Sequence, residues 1–175
     1  MNLEFEVRVA TPAARAWELV GEHFGAISEW AAPIAASSLD AELGVGAVRT
    51  CSLEAFGPVP AGEIQQRLVA FTPSAMSLTY EAIAGMPSFI GRATNTWSVV
   101  ADGSGACRIR TQAHLELRGL ARLFSFLLKW QFAAGGARVL SELKHRLEHD
   151  RPHARKLAAM AAHARKNRRL SLLGK

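Results

Sequence analysis

Residues 106–149, ACRIRTQAHLELRGLARLFSFLLKWQFAAGGARVLSELKHRLEH, contain a strand-like pattern followed by a helical one. Up to Leu117 the sequence alternates with a period of two, with apolar residues on one side and charged or polar residues on the other. This pattern is typical of a β-strand with one covered face and one wet face. After Gly119 the pattern becomes that of a helix, and it predicts one long helix over 120–149.

The two halves of this predicted helix differ. The second half is amphipathic, with Val139, Leu140, Leu143 and Leu147 on one stripe, whereas the first half is apolar on nearly every side. Gly135 and Gly136 lie between the halves, although each costs about 1 kcal/mol of helix propensity. The glycine pair predicts either close packing against a sheet or a bend that widens a cavity, and we favour the bend.

The elements before this stretch are mostly strands. Residues 3–10 alternate, and residues 11–24 indicate a helix with Thr11 as N-cap and Pro12 at its first position. A brief helical turn follows, and then come further strand-like runs at 35–40, 46–54, 61–71, 75–84 and 91–101. ADGSGA, residues 101–106, is a hairpin signal. The sequence therefore predicts an α+β fold, with a curved antiparallel sheet of six to seven strands wrapped around a long C-terminal helix.

Charge divides the chain in two. The net charge is +6, but residues 151–175 carry eight Lys or Arg and no acid, which leaves 13 bases against 15 acids in residues 1–150. We expect a folded domain over 1–150 and a basic extension over 151–175. The start of the chain lacks the pattern of a signal peptide, and no apolar run reaches the roughly 20 residues of a membrane span. With only two cysteines, Cys51 and Cys107, we expect a cytoplasmic protein with reduced thiols.

The basic extension shows a second helical pattern from Ala154 onward, after Pro152 ends the long helix. Leu157, Met160, Ala161 and Ala164 form its narrow apolar stripe, and Arg155, Lys156, His163 and Lys166 gather on the opposite side. It is a helix packed on the body, a disordered solubilising tail or an amphipathic anchor for anionic membranes. We expect a loosely docked helix whose charge gives weak contact with anionic membranes. Nucleic acid is not an expected partner, because no aromatic residues accompany the charges.

Known catalytic motifs are missing from the sequence. It contains no nucleophile elbow, P-loop, dinucleotide fingerprint or HExxH motif. His145 and His149 are spaced like a metal-binding pair, but no third ligand is evident and we expect them on a solvated face. His23 stands just before the brief turn that carries Trp30.

Five segments, in this order, resemble a known superfamily. They are FGAISEWAAPI (24–34), GAVRTCSL (46–53), GPVPAGEIQQRL (57–68), LVAFTPSAMSLTYEAIAGMP (68–87) and LSELKHRLE (140–148). Together they resemble the SRPBCC superfamily, and most of all its polyketide cyclase/dehydrase-like branch, which is related to START domains and pollen allergens. The resemblance covers about residues 3–149. It implies a helix-grip fold, a hydrophobic cavity between sheet and helix, and no obligatory metal or organic cofactor.

The sequence departs from that branch at one position. Members often carry a glutamate just before the Arg-Leu of the strand that here reads EIQQRL, and this chain has Gln66 instead. If Arg49 points into the cavity, it faces a neutral amide and is free for an anionic group of a ligand. Alternatively, Arg49 lies on the solvent face of the sheet.

Strand parity and helix position select the residues expected to line the cavity. They are Arg49, Cys51, Leu53, Ile64, Gln66, Leu68, Leu78, Tyr80, Asn95 and Trp97 from the strands, and Phe124, Leu127, Leu128 and Gln131 from the helix. In the related fold the short helices after the first strand flank the open end of the cavity. This resemblance favours Trp30 as a residue of the cavity mouth, and it makes His23 the one histidine expected near that mouth. The alternative is that Trp30 fills a corner of the core.

Two functions are compatible with this pattern. One is binding of a hydrophobic small molecule such as a lipid, an isoprenoid or a polyketide-like aromatic. The other is a polyketide cyclase or dehydratase, in which Arg49, Tyr80 or His23 assists enolisation. Because the expected lining contains no obvious carboxylate, we favour binding.

Overall fold

The computed structural model of the chain describes residues 1–55 and 60–173. Residues 57–59 of the GPVPAGEIQQRL segment lie outside this description, as do Lys175 and the side chain of Lys166. Within the described residues, no helix has the length and apolar character needed to cross a membrane.

In the part of the chain that the structure describes, seven antiparallel strands form one sheet, which is the body of the protein. The strands are β1 (Asn2–Val9), β2 (Ile34–Leu39), β3 (Val48–Leu53), β4 (Gly62–Thr72), β5 (Ser77–Ala84), β6 (Ile90–Ala101) and β7 (Cys107–Leu117). Their order in the sheet is β1-β7-β6-β5-β4-β3-β2. Neighbouring strands are therefore consecutive along the chain, except for the pair of β1 with β7. The curved sheet holds the long helix α2 (Ser125–His149), which packs against β1. This is the predicted helix-grip fold, and the prediction is confirmed.

The outer face of the sheet is wet, as the alternation in β7 predicts. Arg108 and Arg110 of β7 both donate to the carboxylate of Glu6 on β1, and His114 shares a hydrogen bond with Asn2. The hydrogen bonds from Arg110 and Arg108 hold the pKa of Glu6 below its ordinary value. The inner face carries the core, where Val9, Leu68 and Ile109 cluster with the apolar stripe of α2.

The region after β1 is less regular than predicted. Only Ala13–Trp17 is α-helical (α1), followed by a π-helical turn at Glu18–Glu22 and a 3₁₀ turn at Phe24–Glu29. Pro12 occupies the N-cap position of α1, which corrects the prediction of Thr11. The Thr11 hydroxyl instead donates to the Leu147 carbonyl, 3.1 Å away, and so ties this segment to the end of α2.

The long helix begins later than predicted. Gly119 has a φ of +57°, in the left-handed region that favours glycine, and a 3₁₀ turn covers Gly119–Arg122 before α2 begins at Ser125. α2 then runs without interruption through the two glycines to His149. At Gly136 an added Cβ would lie 2.6 Å from Cζ of Phe5 on β1. Close packing, and not the bend that we favoured, therefore explains Gly136.

We expect Gly136→Ala to destabilise the protein. The clash with Phe5 should cost about 1–3 kcal/mol of unfolding free energy, which exceeds the gain in helix propensity of about 1 kcal/mol. In a Phe5→Leu background the same change should become neutral or stabilising, because the ring edge is gone. Urea unfolding of the four proteins measures this coupling, and equal effects of Gly136→Ala in both backgrounds would contradict it.

The basic extension forms a helix, α3 (Ala154–Leu173), that docks through its basic side. Lys156 is buried and donates from Nζ to the Ile34 carbonyl at 2.6 Å. Arg155 donates from Nε to Glu142 of α2 at 2.9 Å, and His163 lies 3.2 Å from a carboxylate oxygen of Glu54. The predicted apolar stripe is not the docking face, since Leu157 is exposed. The prediction of a loosely docked helix is corrected for its first turns, because buried polar acceptors on the body hold the two bases.

Candidate functional site

A cavity of about 260 Å³ lies between the inner face of the sheet and α2. Most of its wall is apolar, and α2 contributes Phe132, Gly136, Val139 and Leu140. Its polar side chains come from five strands and are Arg49, Gln66, Tyr80, Thr94, Asn95 and Thr111. Apolar walls with a few convergent polar groups are typical of small-molecule sites.

Arg49 is a buried cation held by neutral groups. Its side chain lies on β3, the residue is 3% exposed, and its guanidinium stacks 3.8 Å from the centre of the Phe24 ring. It donates to Gln66 Oε1 from Nε (2.9 Å) and Nη2 (2.6 Å), and to the Phe24 carbonyl from Nη1 (2.7 Å). Burial lowers the pKa of Arg49 from its ordinary value. Among the described residues, no carboxylate lies within ion-pair distance of it.

A chain of hydrogen bonds orients Tyr80 beside this cation. Thr111 donates to Asn95 Oδ1 at 2.6 Å, and Asn95 Nδ2 donates to the Tyr80 hydroxyl at 3.0 Å. Because the Tyr80 oxygen accepts from Asn95, its own proton is available to an acceptor in the cavity. Arg49 Cζ lies 5.1 Å from the centre of the Tyr80 ring, so the cavity has two hydrogen-bond donors close together in its wall.

Trp30 lies behind the cavity wall and not at a mouth. It is buried, its ring meets Trp97 edge-on at 6.5 Å, and it borders a void of about 20 Å³ together with Arg49 and Tyr80. Within the described structure its indole N–H has no hydrogen-bond partner. The interpretation as a mouth residue is therefore corrected. The 3₁₀ turn at Phe24–Glu29 directs Trp30 inward, where it fills a corner of the core.

The strand residues chosen by parity divide into two groups. Arg49, Leu53, Ile64, Gln66, Tyr80, Asn95 and Trp97 line the cavity. Cys51, Leu68 and Leu78 point to the same inner face but are buried in the core outside the lining. The Cys51 Sγ lies 3.9 Å from Gln66 Oε1, and burial raises the pKa of its thiol. Cys51 therefore contacts Gln66 from the core and not from the cavity.

The helix residues were predicted one to two turns too early. Phe124, Leu127, Leu128 and Gln131 are outside the lining, and Phe124 and Leu127 are exposed. The lining residues Phe132, Gly136, Val139 and Leu140 follow the i, i+4, i+7, i+8 spacing of one helix face. That spacing was visible in the sequence, but the uniformly apolar first half of the helix concealed which turns meet the sheet.

Among the described residues, the lining of the cavity contains no Asp, Glu, His or Lys. His23 lies instead in a surface groove beside Glu18, Arg146 and Asp150, which corrects its expected position near the cavity mouth. The arrangement can bind and polarise an oxygen-bearing group. Its described lining offers no carboxylate, imidazole or amine to abstract a proton.

The histidines late in α2 also lie apart from the cavity. The His145 and His149 rings stack at 4.3 Å, and His153 meets His145 edge-on at 5.1 Å. Partial burial, together with His149 and His153, lowers the pKa of His145. His149 Nδ1 bonds the His145 carbonyl and His153 Nδ1 accepts from the Arg155 amide. Both Nδ1 atoms are therefore occupied, and among the described residues no group of three or more His, Cys, Asp or Glu could hold a metal ion.

The sequence from residue 2 to residue 148 matches the model of the family described as polyketide cyclase / dehydrase and lipid transport. The chain belongs to this family. No curated protein matches the sequence significantly. The family and the fold together support a ligand-binding or cyclase role.

Several solved structures share the fold of this chain, although their sequence identity to it is low. An uncharacterised protein from Bacillus thuringiensis is 17% identical with a TM-score of 0.68, covering 84% of this chain and 98% of its own. Norcoclaurine synthase from Thalictrum flavum, in complex with dopamine and hydroxybenzaldehyde, is 15% identical with a TM-score of 0.64, covering 84% of this chain and 85% of its own. The di-domain ARO/CYC protein BexL of the BE-7585A biosynthetic pathway is 15% identical with a TM-score of 0.70, covering 83% of this chain and 45% of its own. At these identities the likeness concerns the fold alone.

Proposed function

We propose that this protein binds a hydrophobic small molecule of the lipid, isoprenoid or polyketide-like class in the cavity, with an anionic group of the ligand against Arg49. The observation that carries the proposal is the buried Arg49 guanidinium, which borders the apolar cavity without a carboxylate partner among the described residues. The apolar wall would hold the body of the ligand, and Arg49 would hold its polar end.

The energetics favour an anion at this position. A charge removed from water is costly unless it is paired, and three hydrogen bonds to neutral oxygens compensate Arg49 only in part. A ligand carboxylate, phosphate or enolate would add a charge-assisted hydrogen bond in a site of low dielectric. The Tyr80 hydroxyl would donate to the same group. Norcoclaurine synthase, with dopamine and hydroxybenzaldehyde, is an example of small aromatic molecules bound by a protein of this fold.

Native mass spectrometry of the protein as purified from cells tests the proposal directly, because a retained ligand adds a discrete mass. A second test uses the apolar dye N-phenylnaphthylamine. Ala113→Phe should fill the cavity and abolish its saturable binding, since Ala113 lies in the wall. Val45→Phe adds a ring at an exposed residue and serves as the matched control. Equal dye affinity in both variants would refute binding in the cavity.

A cyclase or dehydratase reaction is the second candidate function. The hydrogen-bond chain through Asn95 favours it, because that chain leaves the Tyr80 proton beside Arg49 to stabilise an enolate oxygen. Tyr80→Phe should then abolish turnover of a polyketide-like substrate and leave the affinity for N-phenylnaphthylamine unchanged. If turnover survives in Tyr80→Phe, this role for Tyr80 is excluded.

A further inference from the structure

The first half of α2 and the turn before it carry large apolar side chains that face solvent. They are Leu120, Leu123, Phe124, Phe126, Leu127 and Trp130, and we call them the apolar ridge. Phe126 is 73% exposed and Trp130 is 70% exposed. Soluble proteins expose single apolar residues freely, but a contiguous apolar patch of this kind marks a surface that docks onto something.

Positive charge predominates around the apolar ridge. Residues 118–141 contain four bases, Arg118, Arg122, Lys129 and Arg138, and no acid. Three of these bases border a groove of about 860 Å³ beside Phe126. Glu116 is the one acid among the described residues that line this groove, and it has the His114 ring 4.0 Å away. A ridge of Phe, Trp and Leu flanked by Arg and Lys is the pattern of a helix that lies in a membrane interface.

We propose that the apolar ridge docks this protein onto the surface of an anionic phospholipid membrane. The Phe, Trp and Leu side chains enter the boundary between headgroups and acyl chains, and Arg118, Arg122 and Lys129 contact lipid phosphates. Charge complementarity selects a membrane over a second copy of the chain, because a two-fold interface on this ridge would bring the same bases together.

The position of the ridge gives docking a consequence for the cavity. Phe132 and Gly136, which line the cavity, follow Trp130 by less than two turns of the same helix. A docked ridge therefore places the α2 wall of the cavity next to the lipid phase. Docking itself does not depend on what the cavity binds, and cavity binding of N-phenylnaphthylamine is measured without vesicles, so either proposal can fail alone.

Trp130 provides the readout, because the other three tryptophans, Trp17, Trp30 and Trp97, are buried. With vesicles of phosphatidylcholine and phosphatidylglycerol that carry brominated acyl chains, we expect the emission of Trp130 to shift to the blue and to be quenched. Trp130→Phe should remove this signal. The double variant Leu123→Ser/Phe126→Ser should lower the vesicle affinity about tenfold or more. Val45→Ser, at an exposed residue in the loop between β2 and β3, should leave the affinity unchanged.

The contribution of the basic side chains to vesicle binding is tested separately. Arg122→Gln/Lys129→Gln should remove most of the preference for phosphatidylglycerol over pure phosphatidylcholine, whereas Arg67→Gln on the outer face of β4 should have little effect. Far-ultraviolet circular dichroism establishes that each variant is folded.

Two results would overturn the proposal. One is vesicle binding that survives Leu123→Ser/Phe126→Ser and is lost when residues 166–175 are removed, which would assign binding to the basic extension. The other is self-association of the protein without vesicle binding, abolished by the same double variant, which would identify a second copy as the occupant. Quenching of Trp130 that disappears in the double variant supports membrane docking.

Discussion

Gln66→Glu is expected to weaken binding of an anionic ligand by about 1–3 kcal/mol. Gln66 Oε1 already accepts two hydrogen bonds from Arg49, so a carboxylate in its place pairs with the guanidinium without rearrangement. The pair neutralises the cation that the ligand would otherwise meet. The same change should stabilise the empty protein, because a buried cation gains a partner of opposite charge.

Two dyes with one aromatic frame measure this effect. Anilinonaphthalene sulfonate carries an anionic group, and N-phenylnaphthylamine lacks it. Gln66→Glu should weaken only the sulfonate, and Arg49→Met should do so by the opposite route of removing the cation. Gln65→Glu, one residue earlier and paired with Thr50, makes the same change outside the cavity lining and is the matched control.

Dye bound to the exposed apolar ridge would add a background to this measurement. The cavity signal is therefore the part that Ala113→Phe abolishes. An equal loss of affinity for both dyes in Gln66→Glu would show that Arg49 does not distinguish an anionic ligand from a neutral one. Unchanged affinity for the sulfonate would show that the anionic group lies elsewhere.

The period of the strands made much of this site predictable. Alternation placed Arg49, Gln66, Tyr80, Asn95 and Trp97 on one face of the sheet, and the structure brings all five to one cavity. Side chains on a strand have only two directions, so one correct assignment determines the face of every second residue. The hydrogen bonds of Arg49 to Gln66 follow from the pairing of these two residues in neighbouring strands.

Helix faces were harder to assign, for two physical reasons. The first half of α2 is apolar all round, so its period does not show which side meets the sheet, and Phe124 and Leu127 proved to be exposed. In α3 the apolar stripe was clear, but buried acceptors distant in sequence determine the orientation of the helix. The Ile34 carbonyl holds Lys156 and Glu142 holds Arg155, and a pattern read along one helix contains neither partner.

Glu142→Leu is expected to lower the unfolding free energy by about 3 kcal/mol. Glu142 is 2% exposed, and its two oxygens accept from the Ala32 amide at 2.8 Å and from Arg155 Nε at 2.9 Å. Its charge also opposes the lowering of the Lys156 pKa by burial. Removal of the carboxylate leaves the partly buried Ala32 amide without this acceptor, and it removes the anion that acts on Lys156. Arg155 contributes less to the loss, because its side chain is 44% exposed and water screens its charge.

Three variants separate these contributions in chemical unfolding. Glu142→Gln keeps an acceptor for the Ala32 amide and should lose only part of the stability. Glu81→Leu breaks an exposed pair with Arg92 and should cost less than about 1 kcal/mol. Hydrogen exchange localises the effect, since amides of α3 should lose protection in Glu142→Leu before those of the sheet. Unchanged protection of α3 in Glu142→Leu would contradict the conclusion that Glu142 anchors this helix. The contacts of Lys156 with the Ile34 carbonyl and of His163 with Glu54 would then attach it to the body.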